Sequence, residues 1–216
     1  MSDLTLRQDV LDELEFEPSV NAAHIGVVVD KNVVTLTGHT MTYTEKTTAV
    51  AAARRVKGVA AIADEVEVRF EHNKKTSDDE IAKRAIDILA WNSLVPRDAI
   101  SITVRDGLIT LGGNVDWYYQ RKNAEEDVHK LSGVRGVINS IVVKPRVQAQ
   151  DVRRKIEDAL KRNAELEAKA IRVTVKEGSK VLLEGKVNNW EELYAAENAA
   201  WSAPGVRSVE TKLALV

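Results

Sequence analysis

Apolar residues recur in the chain on two alternating periods, and the alternation repeats three times. Residues spaced by four come first: Leu6, Val10 and Leu14, then Ile81, Ala85 and Leu89, then Val152, Ile156 and Leu160. Each set forms one stripe of an amphipathic helix. Ser77 with Glu80 reads as a capping box for the second of these helices, and Thr5 with Gln8 as a weaker version in the first. Period-two alternation follows in Ile25-Val27-Val29, Ile100-Ile102-Val104 and Ile171-Val173-Val175, each answered by Val34-Leu36, Ile109-Leu111 or Val181-Leu183 across a short polar turn. That pattern predicts a β-hairpin. A second helical pattern uses smaller residues: Ala49, Ala53 and Val56; Ala124, Val128 and Leu131; Ala196, Ala200 and Ala203. A last alternating strand begins at Val59, Val134 and Val206.

The punctuation is as regular as the pattern. Gly38, Gly113 and Gly185 close the return strands, and Gly58, Gly133 and Gly205 stand where the second helix is expected to end. The period is about seventy to seventy-five residues, the size of a small domain and too long for a solenoid repeat. The predicted fold class is α+β. It comprises three tandem αββαβ domains, each a mixed three-stranded sheet covered on one face by two helices, at residues 1–72, 77–145 and 150–216. Short connections predict that the copies touch. One inward-facing position on the last strand is polar in every copy (Asp64, Asn139, Thr211), which reads as a satisfied polar site rather than a catalytic one.

Composition narrows function mainly by exclusion. The 216 residues contain no cysteine, which removes disulfides, thiolate metal sites and cysteine nucleophiles. Net charge is −2, distributed as −5 over residues 1–72, +2 over 73–146 and +1 over 147–216. No segment has the basic excess of a nucleic-acid-binding domain. Gly133-Val-Arg-Gly136 mimics a KH-type GxxG loop but precedes a strand, so RNA binding is not expected. His24, His39, His72 and His129 show no metal-ligand spacing, and no catalytic triad, phosphate loop or paired-carboxylate pattern recurs. The expectation is therefore no enzyme, no cofactor and no metal. With no signal-like N-terminus and no apolar span, the chain as given reads as cytoplasmic.

The apolar run ending in glycine, the helix, and the closing Gly133-Val134-Arg135-Gly136-Val137-Ile138-Asn139-Ser140-Ile141-Val142-Val143 together resemble the BON domain (bacterial osmotically induced and nodulation). The first and third copies depart from that pattern at Asp64 and Thr211, where the family prefers Asn. The resemblance implies a non-catalytic module that binds phospholipid or membrane surfaces, linked to osmotic or envelope stress. Its expected partners are anionic headgroups or envelope and stress proteins, and a periplasmic location is the family-based alternative. A protein-interaction or self-assembly scaffold is the second reading.

The distinctive chemistry lies just after the strand-closing glycines. Tyr43, Tyr118 and Trp190 stand in register, and the middle copy adds Trp117 and Tyr119, followed by Arg121 and Lys122. Trp and Tyr favour the headgroup zone, and cations meet anionic lipid there. The expected binding set is therefore Trp117, Tyr118, Tyr119, Arg121, Lys122 and Trp190. Trp91, Tyr194 and Trp201 are expected to pack within the helices.

Overall fold

The computed structural model describes residues 2–70, 76–96, 98–144, 152–163, 170–176 and 180–215. The first repeat runs α1 (Asp3–Phe16), β1 (Ile25–Asp30), β2 (Val33–Thr40), α2 (Tyr43–Arg55) and β3 (Ala61–Val68). The second runs α3 (Asp78–Trp91), β4 (Ile100–Arg105), β5 (Leu108–Val115) and α4 (Tyr118–Val128), then a last strand in two pieces, β6 (Gly136–Asn139) and β7 (Val142–Val143). The third runs α5 (Val152–Arg162), β8 (Ile171–Lys176), β9 (Lys180–Val187), α6 (Trp190–Trp201) and β10 (Ser208–Leu215).

Each repeat places its second strand in the centre. β2 pairs antiparallel with β1, Val27 opposite Leu36, and parallel with β3. β9 does the same with β8 and β10. β5 is flanked by β4 and β6, and β7 continues the pairing of β6 in unbroken register, from Leu111 opposite Asn139 to Asn114 opposite Val142. The fold is therefore the α+β arrangement of three mixed sheets that the two periods predict. The helix stripes are the core: Leu6, Val10, Leu14, Val34, Leu36, Ala49 and Ala53 are fully buried in the first repeat. Ile156, Leu183, Ala196 and Ala200 are fully buried in the third. Alanines on the second helix let its backbone lie close to the sheet. In the first repeat Arg55 also ties α2 to α1 through Glu13 and Glu17, at 2.9 and 3.2 Å.

By backbone proximity the chain forms two compact units. One holds Met1–Ser93, Ser101–Leu111 and Ala124–Asn139; the other holds Leu94–Ile100, Gly112–Asn123 and Ser140–Val216. The middle repeat contributes to both.

Several local expectations are corrected. Ser77 sits at the α3 N-cap, but its side chain makes no cap bond; its hydroxyl donates to Asp79 Oδ1. In α1 the cap is Ser2, which accepts from the Thr5 amide at 3.2 Å, rather than Thr5 itself. Gly58, Gly133 and Gly205 do not end the helices. α2 stops at Arg55, and Gly58 is the third residue of a separate four-residue turn closed by Val59 N–H on Val56 C=O at 3.3 Å. The same turn recurs at Leu131–Val134 and Ala203–Val206, with positive φ at each glycine. In the third repeat Pro204 and Gly205 hold the second and third turn positions, which those two residue types favour. The third hairpin tip (177–179), His72 and most of the connecting segments lie outside the described residues.

A carboxylate clamp was not anticipated. The first two hairpins turn on two residues with positive φ, Lys31 and Asn32, then Asp106 and Gly107. Both amides of each tip point at the first residue of the preceding helix. Asp3 accepts from Lys31 N and Asn32 N at 3.0 and 3.4 Å, and Asp78 from Asp106 N and Gly107 N at 2.8 and 2.9 Å. Helix start and hairpin tip are thus bonded together. In the sequence of the third repeat Ala149 aligns with Asp3 and Asp78, and the connection between the hairpin strands is one residue longer. Asp78→Ala should lower stability by about 1–2 kcal/mol, the worth of partly exposed hydrogen bonds to a charged acceptor. Ser77→Ala, which removes only an exposed side-chain bond to Asp79 and none to a backbone amide, should change it by less than about 0.5 kcal/mol. Urea titration of the two variants checks the contrast.

Candidate functional site

The candidate site grows out of the central strand. Gly38, with φ of 104°, is the last residue of β2 paired with β1; the strand runs on beside β3 to Thr40 before the chain turns toward α2. A Cβ there would lie 2.1 Å from the carbonyl oxygen of His24, so only glycine fits. Gly113 and Gly185 repeat the geometry against Ala99 and Ala170, at 2.1 and 2.0 Å.

Four residues on, each second helix begins with the same reciprocal device. Thr42 accepts from the Glu45 amide at 3.0 Å, and Glu45 Oε2 accepts from the Met41 amide at 2.9 Å. Asn189 accepts from Glu192 N at 2.8 Å, and Glu192 Oε2 from Asn188 N at 2.8 Å. The middle repeat keeps only half of it. Gln120 Oε1 accepts from Asp116 N and Trp117 N at 3.1 and 3.0 Å, but the cap position itself is Trp117, whose indole cannot accept the reciprocal bond. The signal is present in the sequence as Thr-x-x-Glu, Trp-x-x-Gln and Asn-x-x-Glu at the start of each second helix.

The aromatic residues then separate by role. Trp117 and Tyr119 are 37% and 47% exposed. Tyr118 is half-buried and stacks on Trp201 of the third repeat, ring centroids 4.3 Å apart and 9° from parallel. Its in-register counterpart Tyr43 meets the middle repeat instead, edge-on to His129 at 6.0 Å, with its hydroxyl against the Val137 backbone. Neighbouring copies therefore touch, as the short connections implied. Trp190 is half-buried and tilts against Tyr194 at 6.1 Å. Arg121 is half-buried and Lys122 exposed, on the first turns of α4. The exposed aromatic part of the expected binding set is thus Trp117 and Tyr119.

Trp91 reverses its expectation: it is 88% exposed at the end of α3, and Phe16 is 82% exposed at the matching position of α1. Each lies two residues beyond the last buried stripe residue, Leu89 or Leu14, which turns it about 200° away from the core at 3.6 residues per turn. That helical offset could have been read from the sequence. Both helices carry acidic surfaces. Phe16 lies between Glu15 and Glu17, and α3 carries Asp78, Asp79, Glu80 and Asp87.

The inward polar position of the last strand is satisfied by the second helix in each copy. Asp64 pairs with Lys46 at 3.2 Å, Asn139 donates to Glu125 at 2.9 Å, and Thr211 donates to Glu197 at 2.6 Å. The Gly133–Gly136 segment is a turn leading into β6, not a loop between helices. Among the described residues no cluster of three or more His, Asp or Glu forms a metal-binding group. None of the described helices is long and apolar enough to cross a membrane.

This geometry defines a class: tandem small α+β sandwiches joined through their second helices, with varied chemistry at the helix start. The BON domain family model matches residues 2–69, 77–145 and 148–216, and the chain belongs to that family. It is similar to the osmotically-inducible protein Y of Escherichia coli (strain K12), 27% identical over 153 residues that span 67% of this chain and 74% of that protein. Two solved structures of CdsD, a structural protein of the type III secretion system of Chlamydia trachomatis, also align. One is 16% identical with a TM-score of 0.27, covering 98% of this chain and 92% of that one. The other, of the C-terminal domain, is 14% identical with a TM-score of 0.27 and covers both chains fully.

Burial holds the His129 imidazole below its ordinary value of 6.5, and neighbouring Lys130 adds to the depression. The folded state therefore binds this proton less readily than the unfolded one. The stabilising contribution is fully present above about pH 6.5 and is lost as pH falls below that value. His129→Gln should flatten the acid-side decline in urea midpoint between about pH 7 and about pH 5 relative to the parent chain.

Proposed function

We propose that this protein is a non-catalytic module that docks on the surface of anionic phospholipid, acting in osmotic or envelope stress. The observation that carries the reading is Trp117. The sister repeats use this position to cap the helix, and replacing a cap residue by one that cannot accept costs about 1 kcal/mol. Trp117 makes that sacrifice and is 37% exposed beside Tyr119 at 47%. An indole and a phenol at a helix start, followed within one turn by Arg121 and Lys122, suit the headgroup layer, where amphipathic rings and cations are both favoured. The similarity to an osmotically inducible protein supports the stress setting. Attachment would be peripheral, since none of the described helices is long and apolar enough to cross a membrane.

Co-sedimentation with vesicles of phosphatidylglycerol, compared with phosphatidylcholine, tests this at low ionic strength. The parent chain should bind the anionic vesicles, and Trp117→Ala or Tyr119→Ala should each lower partitioning about five- to tenfold, corresponding to about 1 kcal/mol of lost apolar burial. Trp91→Ala, on an acidic helix, should leave binding unchanged. Absence of binding by the parent chain at low salt would remove the lipid reading.

A further inference from the structure

The two helices of each repeat cover one face of its sheet, and the opposite faces of the first and third sheets carry opposite charge. On the third sheet the uncovered positions include Arg172 and Lys176 of β8, Lys180 and Lys186 of β9, and Lys212 of β10, all exposed. Two acids share that face, Glu184 and Glu210, and Glu210 is paired with Lys212 at 3.5 Å. Arg172, Lys176, Lys180 and Lys186 form no ion pair among the described residues. Leu182, central on this face, is only 6% exposed, so what the face offers a partner is charge.

The uncovered face of the first sheet is the complement. It carries Asp30 of β1 with Glu65 and Glu67 of β3, all exposed. Glu67 pairs with Arg69 at 2.8 Å, and Asp30 and Glu65 form no ion pair among the described residues. The rest of the face carries mostly short side chains, Gly26, Thr35, Thr37 and Ala63, with Val28 and Val33 exposed and His39 near one end. A face of mostly short side chains can receive a second sheet at the usual spacing of about 10 Å, within reach of long basic side chains.

We infer that the acidic open sheet face of the first domain of one chain receives the basic open sheet face of the third domain of a second copy. The named charged residues are exposed on both faces, and Asp30, Glu65, Arg172, Lys176, Lys180 and Lys186 form no ion pair among the described residues. A three-stranded face measures about 15 Å by 20 Å. The contact buries roughly 600 Å² in total, well under the roughly 1,200 Å² of a stable complex. The association is therefore weak and electrostatic. Because the two faces differ, it is heterologous, and each chain keeps one free face for the next copy. This surface is separate from Trp117 and Tyr119, and the inference stands or falls independently of lipid binding.

The experiment is sedimentation equilibrium of the full chain over a concentration series. Ionic strength is set at about 0.01 M and then about 1 M, across which the Debye length shrinks from about 30 Å to about 3 Å. The parent chain should self-associate at low salt and become monomeric at high salt. Lys180→Glu/Lys186→Glu and Asp30→Lys/Glu65→Lys should each weaken low-salt association more than about tenfold. An equimolar mixture of the two variants should associate again, because the acidic first domain of one meets the basic third domain of the other. That restoration also shows that both variants are folded. A parent chain that remains monomeric at low salt overturns the inference, as do variants that associate like the parent. Loss of anionic-vesicle binding by Lys180→Glu/Lys186→Glu alongside a monomeric parent also overturns it, and assigns the basic face to lipid.

Discussion

Everything in each repeat hangs on the way the central strand parts from the first strand of its sheet. β2, β5 and β9 are paired on both sides, so none can shift without breaking a ladder. The glycine at which the two strands part lies so close to the carbonyl before the first strand that no Cβ can be accommodated. This fixes the glycine, and the glycine fixes the distance to the helix start. The cap must fall four residues later and its reciprocal partner three beyond that, as Thr42 with Glu45 and Asn189 with Glu192 show. A constraint on backbone packing therefore determines which sequence position projects at the start of the second helix.

Once that position is fixed, the copies can change the chemistry around it without changing the frame. The inward polar site of the last strand illustrates this. Asp64 faces a lysine, whereas Asn139 and Thr211 each face a glutamate. The partner on the second helix changes with the residue on the strand, so each copy satisfies the site with its own pair. The in-register aromatics follow the same logic. Tyr43 and Tyr118 both pack on a neighbouring repeat, one against His129 and the other against Trp201.

The architecture was legible in the sequence because periodicity reports which face of an element a residue occupies, and burial of that face is what builds the core. Leu6, Val10 and Leu14 were readable as a stripe, and all three are fully buried. What periodicity does not report is a partner far away in the chain. Asp3 and Asp78 reach hairpin amides 28 and 29 residues distant, and nothing in the local pattern of α1 or α3 marks them. The turn glycines were misplaced for a related reason: positive φ is required both at a helix end and at the third position of a tight turn, and the sequence does not distinguish them. Trp91 is a different case. Its offset from the stripe already put it on the outer side of the helix, and treating it as a packed aromatic weighted residue type over position.

These distinctions bear on where function resides in a repeat protein of this kind. A side chain that differs between copies and finds a new partner, such as Thr211 with Glu197, has a structural account. A change that gives up a cap bond and leaves an aromatic part-exposed is not explained by its own helix. Trp117 replaces an accepting cap, leaves its helix with only the Gln120 half of the device, and presents an indole to solvent. The third domain spreads four cations, with no ion pair among the described residues, over the face opposite its helices. Both features impose a local cost, from an incomplete cap or from like charges held together. An outside surface that accepts an aromatic, or one that supplies negative charge, is the physical setting in which each cost is recovered.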